Sequence, residues 1–302
     1  MSLELDRAGG GGALAGWARL LRPPNLFTVP GDVAAGVLLA TAAVGGAPDR
    51  RLFYAIFASL ALYACGLLLN DLADLEIDRI ERPQRPLPAG RVPVAAAVVA
   101  ALAAAFGGLG LAWLCGVRTL AAGALLLAMV GVYNFAAKRH RLAGALAMGL
   151  CRALNVWLGA SLVGFSAAVR LAVLPPSLVV GGYIAAVTYI AFWEVDDRPV
   201  GRIRWLPATA SAVAVGLLLR AQAWPAATIA MAATAAHAMI GRAAGRLAVG
   251  RPGQIGRWIR GLIGLQAAFC AGSPGLGHLV AAILLLAVWP ASALVGKRFY
   301  GS

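Results

Sequence analysis

Long apolar runs alternate with short polar connections along almost the whole sequence. A helix needs about 20 apolar residues to cross about 30 Å of hydrocarbon. Ten runs approach or exceed that length, and they predict an all-α integral membrane protein with nine or ten spanning helices. The predicted spans are residues 25–45, 52–71, 93–115, 118–136, 142–166, 171–193, 205–221, 224–246, 256–272 and 276–296.

Basic residues are distributed unevenly among the polar connections. Cytoplasmic loops retain Lys and Arg, and with ten spans and a cytosolic N-terminus the inside connections hold fifteen basic residues against five outside. We therefore expect the connections at 79–91 and 198–204 to face the cytoplasm of a bacterial-type plasma membrane, as do both termini. Residues 1–15, with four consecutive glycines, are predicted to be a flexible tail, and 16–302 a single polytopic membrane domain.

Composition supports the membrane class and limits the alternatives. Of 302 residues 61% are hydrophobic and only 13% charged, with a mean hydropathy of +0.81, which exceeds ordinary globular usage. The net charge of +14 does not predict nucleic-acid binding, because the basic residues are spread singly without interleaved aromatics. Four cysteines inside apolar runs, without C-x-x-C pairs or nearby histidines, are predicted to be buried packing residues: Cys65, Cys115, Cys151 and Cys270.

One polar connection, Asn70 to Arg91, concentrates charge. Five of the chain's twelve acids lie in it, at positions 71, 74, 76, 78 and 81. If the preceding helix continues, Asn70, Asp71, Asp74 and Asp78 fall within one arc of about 100°. Like charges at this spacing repel, so the arc requires cations between its members, and Mg²⁺ shared with a phosphorylated substrate fits oxygen ligands of this kind. A solvated charged loop between two helices is the alternative interpretation.

The string N-D-x-x-D-x-x-x-D-R-x-x-R-P-x-R-P-L at 70–87 resembles the first signature of the UbiA-type intramembrane polyprenyltransferases. The resemblance implies a nine-helix bundle over about 20–272, with 276–296 as an additional C-terminal helix or an interfacial segment. It also implies Mg²⁺-dependent transfer of a polyprenyl group from a polyprenyl diphosphate to a small, often aromatic, acceptor. The three aspartates would bind Mg²⁺ with help from Asn70, and Arg82, Arg85 and Lys138 would hold the diphosphate.

The family's second acidic set is reduced in this sequence. At the end of the sixth predicted span, Glu194 and Asp197 share a helical face, Asp196 points away, and the position for a third acid is Gly201. The resemblance implies that Asp197 is a second metal ligand, and that Glu194 or Asp197 completes the metal set or removes the acceptor's proton. The altered cluster and the R-x-L-N segment at 152–155 resemble the EboC-like branch of the superfamily.

Polar residues inside apolar runs provide the remaining candidates. Arg152 and Asn155 lie on one face of the fifth span, where a buried charge is costly unless the interior is wet or ion-paired. They are predicted to contact the diphosphate, the acceptor or the acids, with a structural pair to another helix as the alternative. Tyr133, before Lys138, resembles the family's tyrosine. Asp32 in the first span faces either the cavity or the head-group boundary.

Two other function classes compete with a transferase. A non-catalytic relative that binds lipid or assists assembly is supported by the reduced second cluster. A secondary transporter would use Asp32 and Arg152, but transporters place ionisable groups near the midplane, often within inverted repeats. No repeat is evident, and the acids are concentrated at helix ends.

Overall fold

The computed structural model describes residues 12–195, 200–245 and 253–300, without the side chains of 194–195, 245, 253 and 297–300. Within these ranges the protein is a helical bundle with no β-strand. In chain order the α-helices are α1 Ala13–Leu21, α2 Pro23–Leu26, α3 Val29–Ala43, α4 Arg51–Ala73, α5 Leu75–Glu81, α6 Val94–Leu114, α7 Val117–Val132, α8 Arg141–Ala160, α9 Ala167–Val195, α10 Leu206–Arg220, α11 Trp224–Gly245, α12 Gly253–Cys270 and α13 Leu276–Tyr300. A π-helical turn, Tyr133–Ala137, extends α7, and a 3₁₀ turn, Gly201–Trp205, precedes α10.

The predicted all-α membrane fold is confirmed, with small differences in the helix count. Each of the ten predicted spans contains a helix, and within the described residues eight helical segments are long and apolar enough to cross a membrane. The two that are not among the eight are α11 and α12; α12 carries Arg257, Arg260 and two glutamines. The first span is in fact three consecutive helices over 13–43, because α1 ends at the left-handed Arg22 and α2 ends before Thr28.

Helices α3 and α8 form the centre of the bundle. About two thirds of the most apolar window of the first span is buried, and a similar share of α8, whereas α6 and the span that contains α7 bury only 22%. Alternating residues of α3 join different cores: Val33 and Val37 pack toward α4 and α7, and Ala35 and Leu38 pack toward α9 and α12. The outer helices expose large apolar side chains, including Phe53, Phe57, Leu102 and Phe106, as expected for a surface in contact with lipid.

A third, smaller apolar cluster fixes the proline-rich loop after α5. Leu87 and Val92 in this loop are buried against Leu20 of α1 and Leu68 of α4. The loop therefore folds back over the end of α4 instead of extending into solvent. This packing brings Arg85 next to the acidic residues of α4 and α5.

Candidate intramembrane site

The three aspartates of the first signature lie together at one end of α4, although the helix does not run through them. Helix α4 ends at Ala73, and Asp74, with φ −93° and ψ 0°, separates it from the short α5. The backbone amide of Asp78 still donates to the Asp74 carbonyl (2.8 Å), so the turn continues with a local break. Asp71 and Asp78 are buried, with 7% and 3% exposure, and Asp74 is partly exposed.

Each of these carboxylates is paired with a base from a different part of the chain. Arg22 Nη2 lies 2.8 Å from Asp71 Oδ1, and Lys138 Nζ lies 2.6 Å from Asp74 Oδ1. Arg85 Nη1 lies 2.6 Å from Asp78 Oδ2 and 3.8 Å from Asp71 Oδ1. Basic side chains therefore lie between these acids. Three negative charges at this helix end are balanced by three positive ones.

The π-helical turn after α7 determines where Lys138 lies. The backbone amide of Lys138 donates to the Tyr133 carbonyl five residues earlier (2.9 Å), and the Lys138 Nζ also donates to the Asn70 carbonyl (3.2 Å). Single π turns are frequent at functional sites. Among the predicted diphosphate ligands, Arg85 and Lys138 thus contact the acids, and Arg82 is a half-buried residue just after α5.

The donor atoms at this helix end suit a hard cation that is shared with a substrate. Within the described residues no group of three or more Asp, Glu, His or Cys side chains is arranged to hold a metal ion by itself. Within the described part of the chain, the hydrogen bonds to Asp71 and Asp78 fall on one oxygen of each carboxylate, and the other oxygen can serve a ligand. Mg²⁺ commonly takes one or two protein carboxylates and completes its shell with substrate phosphates and water, so these residues fit such an ion.

A cavity of about 120 Å³ extends from the acidic end of α4 into the bundle. Arg22, Asn70 and Tyr133 line it near the acids, and Ser59 and Asn155 line it at the other end. Asn70 and Ser59 are eleven residues apart on α4, which corresponds to about 16 Å along the helix axis. The walls between them are largely apolar and include Leu62, Leu67, Leu126, Val130 and Met148.

Arg152, which is 5% exposed, belongs to a buried polar network at the deep end of this cavity. Its Nε lies 3.0 Å from Asp32 Oδ2, and its Nη2 donates to the Thr28 carbonyl (2.7 Å). Asn155 Nδ2 donates to Asp32 Oδ2 (3.0 Å), and Gln266 Nε2 donates to Asp32 Oδ1 (2.6 Å). Asp32 has 0% exposure, so it lies neither at the head-group boundary nor among the cavity-lining residues. It joins α3 to α8 and α12.

The sequence interpretation did not identify several residues of the site. Arg22 precedes two prolines in a left-handed conformation, and Gln266 contacts Asp32 from 234 positions away. Asn134, adjacent to the predicted Tyr133, donates its amide to the carbonyls of Val130 (2.9 Å) and Gly66 (3.5 Å), and its Oδ1 has no hydrogen-bond partner within the described structure. A polar side chain next to a predicted ligand was the available signal for Asn134. No local pattern marked Gln266.

The second acidic cluster falls largely outside the described residues. Glu194 is in the last turn of α9, but its side chain is not described, and neither Asp196 nor Asp197 lies within the described ranges. The predicted roles of Glu194 and Asp197 therefore stay predictions. The four cysteines are free and buried as predicted.

A bundle of apolar helices that encloses a cavity with acidic and basic side chains at one end defines a multi-pass membrane protein with a candidate ligand site among its helices. The chain belongs to the UbiA prenyltransferase family, whose model matches residues 33–250.

Individual relatives agree with this family membership. The digeranylgeranylglyceryl phosphate synthase of Methanoculleus marisnigri is 29% identical over 204 residues, which cover 65% of this chain and 68% of that protein. The protein of the same name from Ignicoccus hospitalis is 34% identical over 149 residues, covering 49% of this chain and 47% of that protein. The match to this second relative thus spans about half of its length.

Solved structures share the fold at low sequence identity. A UbiA homologue from Archaeoglobus fulgidus has a TM-score of 0.63 at 16% identity, covering 90% of this chain and 100% of that one. A UbiA homologue from the same organism, bound to GPP and Mg²⁺, has a TM-score of 0.52 at 15% identity, with coverages of 94% and 99%.

Proposed function

We propose that the protein is a Mg²⁺-dependent transferase that moves a polyprenyl group from a polyprenyl diphosphate to a small hydrophobic or aromatic acceptor inside the membrane. The observation that carries this proposal is the position of the three aspartates. Each is paired with a basic side chain, and together they lie at the opening of a cavity with apolar walls. A diphosphate needs charged ligands, and its isoprenoid chain needs an apolar path. The charged side chains and the apolar cavity lie side by side in this protein. The Archaeoglobus homologue bound to GPP and Mg²⁺ supports a prenyl diphosphate as the donor.

In this proposal the acids at the end of α4 hold the donor's head group. Asp71, Asp74 and Asp78, with the Asn70 side chain, would bind Mg²⁺, which supplies charge neutralisation to the departing diphosphate. Arg85 and Lys138 would turn from the carboxylates to the diphosphate oxygens once metal takes their place, since long cationic side chains reorient at low cost.

The transfer breaks the allylic C1–O bond, and the bonding electrons leave with the diphosphate. The acceptor's nucleophilic atom then bonds to C1 and loses a proton, for which Glu194 or Asp197 is the proposed base. Arg82 at the end of α5 would hold outer phosphate oxygens, and Tyr133 in the cavity wall would exclude water from the allylic cation. Preorganised charges in a dry site act more strongly than in water.

Two chemical classes compete as the acceptor of the prenyl group. The curated relatives are named for a glyceryl phosphate product, so a glyceryl phosphate is the competing acceptor class. We propose a small hydrophobic or aromatic acceptor for this chain, the class that the resemblance of residues 70–87 implies. Orientation is also part of the proposal: the connections at 79–91 and 198–204 and both chain termini face the cytoplasm, residues 1–15 form a tail and 16–302 a single membrane domain.

A non-catalytic lipid-binding relative is the second candidate, and it has one observation in its favour. The three acids are fully charge-balanced by Arg22, Arg85 and Lys138 without any metal. A protein that had lost transfer would be stable in this arrangement.

The test uses purified protein with farnesyl and geranylgeranyl diphosphate, with and without a chelator of Mg²⁺. We expect Mg²⁺-dependent donor binding and diphosphate release that the Asp71→Asn, Asp74→Asn double variant abolishes. Glu76→Gln is the matched control, because Glu76 lies on the same segment, is exposed and, among the residues that the structure describes, pairs with Arg79 at the surface (2.6 Å). Glu194→Gln tests the second cluster.

Donor binding without any diphosphate release, in folded protein supplied with a panel of acceptors, would favour the non-catalytic relative. Neither binding nor release with any chain length, in protein shown to be folded, would contradict the transferase and leave a non-catalytic partner that assists assembly as the better account.

A further inference from the structure

Asn134 carries an unpaired oxygen atom in the wall of the cavity. Its side chain is 4% exposed, and its Nδ2 donates to the carbonyls of Val130 (2.9 Å) and Gly66 (3.5 Å). Only the NH₂ end of an amide can donate to a carbonyl, so these two contacts fix which end of the amide is which. Oδ1 is the other end, and no donor among the described residues pairs with it. Because Asn134, Val130 and Gly66 all line the cavity, we expect a ligand in the cavity to complete Oδ1.

Asn134 lies about one helical turn deeper in the bundle than the end of α4 that carries the acids. Gly66, whose carbonyl it contacts, is four residues before Asn70 on α4, or about 6 Å along the helix axis. In the proposed function the three aspartates hold Mg²⁺ and the diphosphate, and the prenyl chain runs from there into the cavity. The first carbon atoms of that chain, the allylic C1 to C3, therefore pass beside Asn134.

The intact donor offers nothing that pairs with Asn134 Oδ1. A prenyl chain has no N–H or O–H group, and diphosphate oxygens are themselves acceptors. An unpaired buried acceptor is costly, and a hydrocarbon beside it does not remove that cost. When the C1–O bond breaks, its electrons leave with the diphosphate and positive charge develops over C1 and C3. The negative end of an amide dipole attracts that charge, and an interaction gained only in the transition state raises kcat.

We propose that Asn134 is a catalytic residue whose side-chain carbonyl stabilises the allylic cation as it forms. It makes no covalent bond and moves no proton. The two hydrogen bonds from Nδ2 hold the amide in place before the reaction, so its dipole needs no reorganisation at the moment of bond cleavage. The inference rests on the proposed transferase function, which it deepens by assigning a residue to the cation.

The test compares two unreactive ligands that differ in charge at the allylic position. Geranylgeranyl S-thiolodiphosphate, in which sulfur replaces the oxygen on C1, represents the intact donor. An amine whose protonated nitrogen replaces C3 of the same chain, supplied with inorganic diphosphate, represents the cation. Both dissociation constants are measured with full-length protein in nanodiscs, with Mg²⁺ and without an acceptor. The affinity for the amine divided by the affinity for the S-thiolodiphosphate is the cation preference.

Asn134→Leu keeps the branched shape of the side chain and removes the oxygen. Its cation preference should fall at least about tenfold, since loss of one preorganised dipole at a developing charge costs about 10²–10³ in kcat in other enzymes. The kcat for diphosphate release should fall with it, whereas affinity for the S-thiolodiphosphate should stay at the wild-type level. Met148→Leu is the control, because it changes another side chain of the cavity wall without changing a nitrogen or oxygen atom. Its cation preference should equal that of the wild type.

Asn134→Asp keeps the proposal testable if Asn134→Leu does not fold. A carboxyl group retains an oxygen at this position, either with a negative charge or as a protonated acid that donates to the Val130 carbonyl. The cation preference of this variant should therefore equal or exceed that of the wild type.

Three results would overturn the inference. These are an unchanged cation preference in Asn134→Leu, a lowered cation preference in Asn134→Asp, and an equal loss of affinity for both ligands in Asn134→Leu. The last result would place Asn134 among the ligands of Mg²⁺ and diphosphate. Failure of the wild type to bind the S-thiolodiphosphate would instead contradict the proposed function itself.

Discussion

At the scale of single residues, two acids of the first signature, Asp71 and Asp74, are paired with bases that are distant in sequence, Arg22 and Lys138. Arg22 has φ 44° and ψ 62°, a left-handed conformation that costs a non-glycine residue about 1–2 kcal/mol. The conformation ends α1, starts the Pro23–Pro24 turn and brings Nη2 to 2.8 Å from Asp71 Oδ1. Backbone strain at this position is therefore coupled to the placement of a charge at the cavity opening.

Replacement of Arg22 by Gln should weaken donor binding at least about tenfold. Arg22 lines the cavity beside Asp71, where it would donate to the bound diphosphate. A hydrogen bond to a charged group contributes about 1.5–3 kcal/mol, and tenfold corresponds to about 1.4 kcal/mol. The measurement is the dissociation constant for geranylgeranyl diphosphate in the presence of Mg²⁺. Arg19→Gln is the matched control, because this substitution removes the same charge and Arg19 is on the exposed side of α1. Equal effects of the two substitutions would show that only net charge matters.

At the scale of elements, α3 and α8 pack so closely that their backbones touch. A Cβ at Gly36 would collide with the Val156 carbonyl, and a Cβ at Gly159 would collide with the Val33 carbonyl. Small residues permit such approach between membrane helices. The same crossing brings Asp32 of α3 next to Arg152 and Asn155 of α8. The buried network therefore depends on two glycines that carry no chemistry themselves.

Substitution of Gly159 by Leu should separate α3 from α8 and destabilise the protein by at least about 1–3 kcal/mol, the usual cost of overpacking. The backbone carbonyl of Val33 cannot move aside as a flexible side chain could. Thermal unfolding in detergent measures the effect as a lower midpoint. Gly131→Ala is the control, because nothing lies within 4 Å of a Cβ there and alanine favours a helix. A wild-type midpoint for Gly159→Leu would contradict the close packing.

At the scale of the whole molecule, α4 connects the two sides of the membrane. Its C-terminal end carries the acids, and its N-terminal end follows the exposed connection at residues 44–50. A helix of this length rises by about 34 Å, enough to cross the hydrocarbon. The excess of basic residues on the acid side predicts that this side faces the cytoplasm.

Single cysteines should therefore react with a membrane-impermeant maleimide from opposite sides. In a protein whose native cysteines are replaced by alanine, Ala47→Cys should be labelled in intact cells. Gln84→Cys should be labelled only after the membrane is opened; both positions are exposed. Retained donor binding is the control for folding. Labelling of Gln84→Cys in intact cells would reverse the proposed orientation.

Much of the site could be predicted because its residues are close in sequence. Asn70, Asp71, Asp74 and Asp78 span little more than two helical turns, so local geometry alone places them together. Arg22, Asn134 and Gln266 could not be predicted in the same way. They reach the site through the ends of α1 and α7 and the packing of α12, and those depend on the whole bundle.

The sequence by itself determined the class of fold and the chemistry of the cavity opening. The length of the apolar runs indicates helices that cross a membrane, and the spacing of the acids places them together at the end of one helix. Tertiary structure decided the rest: which base meets which acid, that α4 breaks at Asp74, and that Asp32 is paired inside the bundle instead of facing the cavity or the head groups. Those outcomes follow from the balance of charge and packing among helices that are distant along the chain, which no local pattern encodes.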